Sequence, residues 1–287
     1  MNKRATSSGT VRTVTEDPLT RAGRRAQSAI LHPARADGRI VVGRSRPPDG
    51  LATLVDYFWW VEWHCPEPHV QAVVPRPVIH LTAESRDGAP RLLVHGVMRR
   101  RFQRTLVGDG RTVAAAFRPG GFRPVLGRPV SSMTDRIGTV ADVLGTDDHR
   151  LAGLLLDPDA DVTTCVDRLS SWLIERTATA DPVAADIADL VELAETDTTI
   201  IRAQQLADHA GVSLRTLQRQ FADHVGVGPK WVVQRCRLLD VAGAAHTGGT
   251  VDWAALAADL GYADQSHLVR AFTALVGSPP ARYRAHD

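Results

Sequence analysis

The stretch GVSLRTLQRQFADHVGVGP at 211–229 is written a second time, on the same skeleton, as GYADQSHLVRAFTALVGSPP at 261–280. Leu206, Ala207 and Gly211 recur fifty residues on as Leu256, Ala257 and Gly261. Leu217, Arg219, Phe221, Gly226 and Pro229 recur fifty-one on as Leu268, Arg270, Phe272, Gly277 and Pro280. The one-residue slip falls in the turn, where an insertion leaves every helical side chain on its own face. One supersecondary unit is therefore used twice. In each copy a short helix closes on a glycine able to take a positive φ, and Ser213 is placed to cap the helix after the first turn. Leu217, Phe221 and Val225, and in the second copy Leu256, Ala257, Leu260, Leu268 and Phe272, form the buried stripes. The spacing leaves Arg215, Gln218 and Arg219 outward in the first copy and Gln265, Ser266, Val269 and Arg270 outward in the second.

That outward face has the chemistry of a base reader. Arg can bind guanine O6 and N7 with two hydrogen bonds, and Gln can do the same to adenine N6 and N7. Between the copies, PKWVVQRCRLLDVAGAAHT is apolar along Val232, Val233, Leu238 and Val241, which predicts a connecting helix that sets the distance between two helix-turn-helix units. Readers about 34 Å apart would enter consecutive major grooves of double-stranded DNA. The last hundred residues resemble the DNA-binding domain of the AraC/XylS family of bacterial transcription regulators. The closing GYADQSHLVRAFTALVGSPPARYR carries that family's glycine-aromatic pair, Arg-x-Phe, glycine, proline and Tyr-Arg. The resemblance implies base-reading roles for Arg215, Gln218 and Arg219 and for Gln265, Ser266, Val269 and Arg270, with Ser213 at the helix start. Val269, being apolar, could contact only a thymine methyl. A DNA-independent interaction module is the rival reading of the same exposed arginines.

At 287 residues the chain has room for two domains. Its formal charge of +2 hides an uneven distribution. Residues 1–50 carry ten Lys/Arg against four Asp/Glu, residues 135–199 four against fifteen, and residues 198–287 nine against seven. DNA affinity must then come from placed arginines and not from bulk basicity. The acidic stretch suggests a solvated surface or one that repels DNA. Three separated cysteines, Cys65, Cys165 and Cys236, suggest neither a disulfide framework nor a zinc finger. With no apolar run long enough to span a bilayer and no signal-peptide core, the expectation is a cytoplasmic protein without a membrane partner.

Residues 1–28 read as a disordered arm. From 29 to 146 the pattern predicts an α+β domain, antiparallel and β-rich with flanking helices. The strands are carried by segments such as RIVVG, LVDYFWWVEWH, VQAVV, PVIHLTAE, RLLVHGVM and RTVAAAFRP. TDRIGTVADVLG and DADVTTCVDRLSSWLIER read as helices, and 147–180 as a helical connection ending in the linker TATADP. PVAADIADLVELAE, with Ile187, Leu190, Val191 and Ala194 on one face, opens the all-α domain of 181–287, two helix-turn-helix units joined by a connecting helix.

The β-rich part resembles a family of uncharacterised domains found ahead of such readers, through LVDYFWWVEW, VVPRPVIHL, FRPGGFRP and TDRIGTVADVLG. A sensor for a small-molecule effector, a dimerisation domain or both is what that position implies, and RNA polymerase and a second copy of the chain are the further partners such a regulator would meet. Phe58 and Trp60 share one strand face, while Tyr57, Trp59, Val61 and Trp63 share the other, so one could line a pocket and one a core. Trp60, His80, Arg118 and Phe122 are the candidate ligand contacts. Arg118 and Arg123 flank a PGGF loop whose amides could hold an anion. His64, Cys65, His69, His80 and His95 are donors suited to a transition metal but fall at no recognised spacing, and HCPEPH reads as a loop. Cys65 as a thiol sensor stays open beside them. No metal, cofactor or catalytic residue is assigned, since the chain holds no nucleophile elbow, Walker loop or His-Glu-x-x-His.

Overall fold

The computed structural model describes residues 30–31, 39–86, 88–147, 149–177, 181–246 and 252–279. The arm expected over 1–28, residues 178–180 of the TATADP linker and the Tyr-Arg pair near the C-terminus lie outside them.

Aromatic and β-branched residues build the longest strand, β3 (Val55–Val73), around which an antiparallel seven-stranded sheet is organised. One edge of β3 pairs with β1 (Ile30–Leu31) and β2 (Ile40–Ser45), the other with β6 (Phe102–Phe117). Beyond β6 follow β4 (His80–Arg86), β5 (Ala89–His95) and β7 (Ile137–Thr139). HCPEPH is not a loop: it lies inside β3, where the pairing with β6 shifts register between Cys65 and His69. The shift is a bulge that accommodates Pro66 and Pro68, which have no N–H to give the ladder. Residues 102–110, too polar and glycine-rich to read as a strand, pair with the outer half of β3. TDRIGTVADVLG is likewise only half helix. Its Ile137–Thr139 forms the edge strand, and Thr139 then accepts from the Asp142 N–H to start α2 (Val140–Leu144), which Gly145 ends. A short α1 (Arg123–Leu126) precedes it.

Helices α3 (His149–Leu156) and α4 (Val162–Ile174) pack on one face of the sheet. They bring Ala152, Leu155, Cys165, Leu169 and Leu173 into one core with Phe58, Leu81, Leu92 and Phe117. They form a layer on the sheet.

The C-terminal half is helical: α5 (Pro182–Thr196), α6 (Ala203–His209), α7 (Leu214–His224), α8 (Pro229–His246), α9 (Trp253–Asp259) and α10 (Gln265–Val276). Gly211 and Gly261 adopt φ of 64° and 68°, the left-handed turn that each copy needs. Ser213 accepts from the Thr216 N–H and Asp264 from the His267 N–H, so each longer helix is capped by a side chain. The connecting helix is α8. No helix among the described residues is long and apolar enough to cross a membrane.

The two units attach to the N-terminal body differently. Leu217, Phe221, Val225 and Val232 join the main core beside Val130 and Met133. Around them Arg123 pairs with Asp223 at 3.1 Å, His224 Nε2 lies 3.1 Å from Asp181, and the Thr134 hydroxyl donates to the Gly226 carbonyl. The second unit forms a smaller core, in which Leu238, Leu260, Leu268, Phe272 and Leu275 meet Ala72 and Val74 at the end of β3. Phe221 and Phe272 are both at 0% exposure. Phe221→Ala or Phe272→Ala should cost about 3–5 kcal/mol, measured by urea denaturation. A variant that unfolds at the wild-type midpoint would place the ring outside the core.

Candidate nucleic-acid interface and sensor cavity

Arg215, Gln218 and Arg219 are exposed on α7, and Gln265, Ser266 and Arg270 on α10, while Val269 is half-buried. Positions one, three and four apart lie on adjoining parts of one helical face, so the six exposed side chains form two patches at matching places in the two copies. Ser213 acts as the α7 cap. The spacing missed His267, exposed beside Ser266, its ring edge-on to Tyr262 at 5.3 Å.

A cavity of about 250 Å³ opens on the sheet face opposite the helices. Alternation along β3 sends Phe58 to the helix-covered core and Tyr57, Trp59, Val61 and Trp63 into the cavity. Phe102 and Leu106 from β6 and Ile40 and Val42 from β2 add apolar wall. The polar part has two groups. Glu84 receives the Thr82 hydroxyl at 2.8 Å, pairs with Arg104, and has His95 Nε2 at 3.0 Å. Burial would push the Glu84 carboxyl up, but His95 and then Arg104 outweigh it and hold its pKa at about 2. At the other group, Trp59 Nε1–H donates to His80 Nδ1 at 3.2 Å, which places the His80 ring proton on Nε2. Burial, then the charges of His95, Arg76 and Arg44, lower the His80 pKa to about 3. Arg76 reaches Asp56 at 3.3 Å and the Tyr57 hydroxyl at 3.4 Å, and Arg44 stacks on the same tyrosine ring at 4.8 Å.

Of the four ligand contacts expected from sequence, His80 alone lines this cavity. Trp60 points to the other face, packed against the main core and over Gly43 of the neighbouring strand. Phe122 is buried edge-on to Phe117 at 4.8 Å, and the Arg118 N–H donates to the Leu54 carbonyl at 2.8 Å. The PGGF loop owes its glycines to close packing. A Cβ on Gly121 would run into the Leu54 carbonyl, and Gly120 backs onto Ala184 of α5. Arg123 faces Asp223, so the loop docks the first unit instead of presenting an anion site. The metal donors are dispersed: His64 pairs with Asp109, Cys65 is buried beside Ile40 and Leu106, and His80 and His95 stand in the cavity. Among the described residues no three His, Cys, Asp or Glu side chains are grouped to hold a metal ion. Trp59 and Trp63 stand on one of the two β3 faces that the alternation offers as a pocket lining, and Phe102 from β6 joins them without any signal in the sequence.

A larger cleft, about 710 Å³, separates residues 98–103 from the second unit, with Trp231, Gln234, Arg235, Tyr262 and His267 on its far side. Met98 and Phe102 line both this cleft and the cavity. The Arg101 N–H donates to the Ala274 carbonyl at 3.1 Å, and its guanidinium lies where a Cβ on Gly277 would be. On α8, Arg235 Nε donates to the carbonyl of Pro75, itself part of the cavity wall, and Nη1 stands 3.6 Å from Glu195.

His80 gives a pH signature. Its folded pKa lies below the ordinary 6.5, so the stability from keeping it neutral is complete above pH 6.5 and is lost as the pH falls toward about 3. Between pH 6.5 and 5 the loss should be on the order of 2 kcal/mol. His80→Asn should flatten that part of the stability profile. An unchanged slope would show that His80 does not titrate in the window.

Residues 44–138 match a domain of unknown function, DUF6597, and residues 206–286 match a helix-turn-helix domain. The chain is 35% identical over 118 residues to an AraC-like transcription regulator of Streptomyces lividans, covering 41% of this chain and 37% of the relative. It is 32% identical over 120 residues to another from Streptomyces antibioticus, covering 42% and 38%. It thus spans less than two fifths of the curated relatives it matches. ToxT from Vibrio cholerae superposes over 85% of this chain and 96% of its own at 10% identity, with a TM-score of 0.33, too loosely for any inference about sites. The chain carries an AraC-type helix-turn-helix domain at its C-terminal end, joined to an N-terminal domain of the DUF6597 family.

Proposed function

We propose that the protein is a sequence-specific DNA-binding transcription regulator whose N-terminal cavity takes a small-molecule effector. Arg215, Gln218 and Arg219 would read one stretch of major groove and Gln265, Ser266 and Arg270 the next, with Val269 against a thymine methyl. The chain acts in this reading by binding, and no residue is given a catalytic step.

One observation carries the effector part: the wall of the cavity is also the seat of the second unit. Val73, Val74, Pro75 and Arg76 border the cavity, as do Gly96, Met98, Phe102 and Arg104, the last three close in sequence to Arg101. Val74 enters the core of the second unit, Pro75 accepts from Arg235 on the connecting helix, and Arg101 holds the end of α10. The first unit is seated elsewhere, on residues 123–134 and α5. A ligand shifts an equilibrium only by its difference in affinity for two states. An occupant that moved either wall segment would prefer one placement of the second unit, and so one spacing between the two readers.

Arg219→Ala or Arg270→Ala should weaken the specific site by about 1–3 kcal/mol and relax the base preference beneath that residue alone. Selection of binding sites from sheared genomic DNA by the full chain and the two variants measures both effects. A uniform loss over all sequences would make these arginines phosphate contacts. No enriched motif with either wild type or variants would favour the interaction-module reading.

A further inference from the structure

We infer that the cavity takes a planar apolar acid, a ring system about the size of naphthalene with one carboxylate, its rings among Trp59, Trp63 and Phe102 and its carboxylate at the Arg76 and His80 end. This deepens, and rests on, the reading of the N-terminal body as the effector-binding part.

Size comes first. A cavity of about 150 Å³ accommodates benzene, so about 250 Å³ suits two fused rings or one ring with a short chain. The wall chemistry selects a flat apolar body, since indole and phenyl groups offer edges and faces to another π-system.

The charge of the occupant follows from the polar groups. The carboxylate in the wall, Glu84, is already engaged by Thr82 and Arg104 and faced by His95, which leaves little to hold a cation. Arg76 is the opposite case. Its side chain is 8% exposed and lines the cavity, yet it bonds Asp56 and Tyr57 through Nη1 alone. Among the described residues Nε and Nη2, the edge that grips a carboxylate with two parallel bonds, have no partner. Arg76 lines the cavity, so an anion there could take two charge-assisted hydrogen bonds from that edge. His80 adds a second donor, because its Nδ1 is taken by Trp59 and its proton sits on Nε2. Burial first, then His95, Arg76 and Arg44, keep a proton off His80, and the two guanidinium charges in that environment also attract an anion.

The test titrates the full chain calorimetrically with 2-naphthoate and with its neutral counterpart 2-naphthamide at pH 7.5. The acid should bind at least tenfold tighter than the amide. Arg76→Gln should weaken the acid tenfold or more and leave the amide unchanged. Equal affinities for acid and amide, or no binding of either, would overturn the assignment. Should Arg76→Gln fail to fold, the comparison of acid with amide on the wild type still decides. DNA affinity measured on the same samples separates the two readings. Tight acid binding with no change in DNA affinity or footprint supports the ligand class while contradicting its role as an effector.

Discussion

A guanidinium buried in a protein must find partners, and Arg235 finds its own across the boundary between the two halves of the chain. Burial lowers its pKa, with Cys236 and then the Glu195 carboxylate opposing the shift, and its Nε–H donates to the Pro75 carbonyl. Removing one partner of a buried charge is far more costly than losing an exposed contact. The connecting helix and the 74–76 wall segment are thereby held in one register. Two residues along the same helix, Arg237 donates to the Ala194 carbonyl at 2.6 Å and pairs with Asp240 at 3.1 Å. The helix that joins the two helix-turn-helix units is therefore fixed by arginines to the cavity wall and to α5.

That arrangement divides the labour between the repeated units. The first is fused into the main hydrophobic core, where Leu217 and Phe221 share a continuous packing network with the sheet and its covering helices. The second has its own small core, touching the N-terminal body at the end of β3 and at Arg101, just before β6. The cavity wall is thus in direct contact with the second unit, while the first is seated on residues 123–134 and α5.

The doubled unit was legible because helical spacing, turn glycines and caps are local: Leu217, Phe221, Gly211 and Ser213 stand where their spacing put them. The N-terminal body was read less completely for physical reasons. A bulge allowed two prolines inside β3, and a polar half of β6 became a strand only through its partner. The alternating faces of β3 were correct, but choosing which face meets solvent needs to know where α3 and α4 pack, and Trp60 was assigned to the wrong one. Arg235 and Arg237 gave no signal, since arginine on a helix reads as surface until its tertiary partners are known. Most of the described carboxylates of the acidic stretch face solvent, as a solvated surface requires. Several also cap backbone, Asp161 at α4, Asp181 at α5 and Asp197 after α5, while Glu195 is buried and faces Arg235.

The central claim is that the cavity wall and the seat of the second reader are one structure. Footprinting of the full chain on a two-groove site, beside its Phe102→Ala variant, tests it without any ligand, because Phe102 borders both the cavity and the cleft. The account predicts weaker protection over the half-site of the second unit, with that of the first unit retained. Protection lost equally over both halves, or unchanged over both, would contradict it.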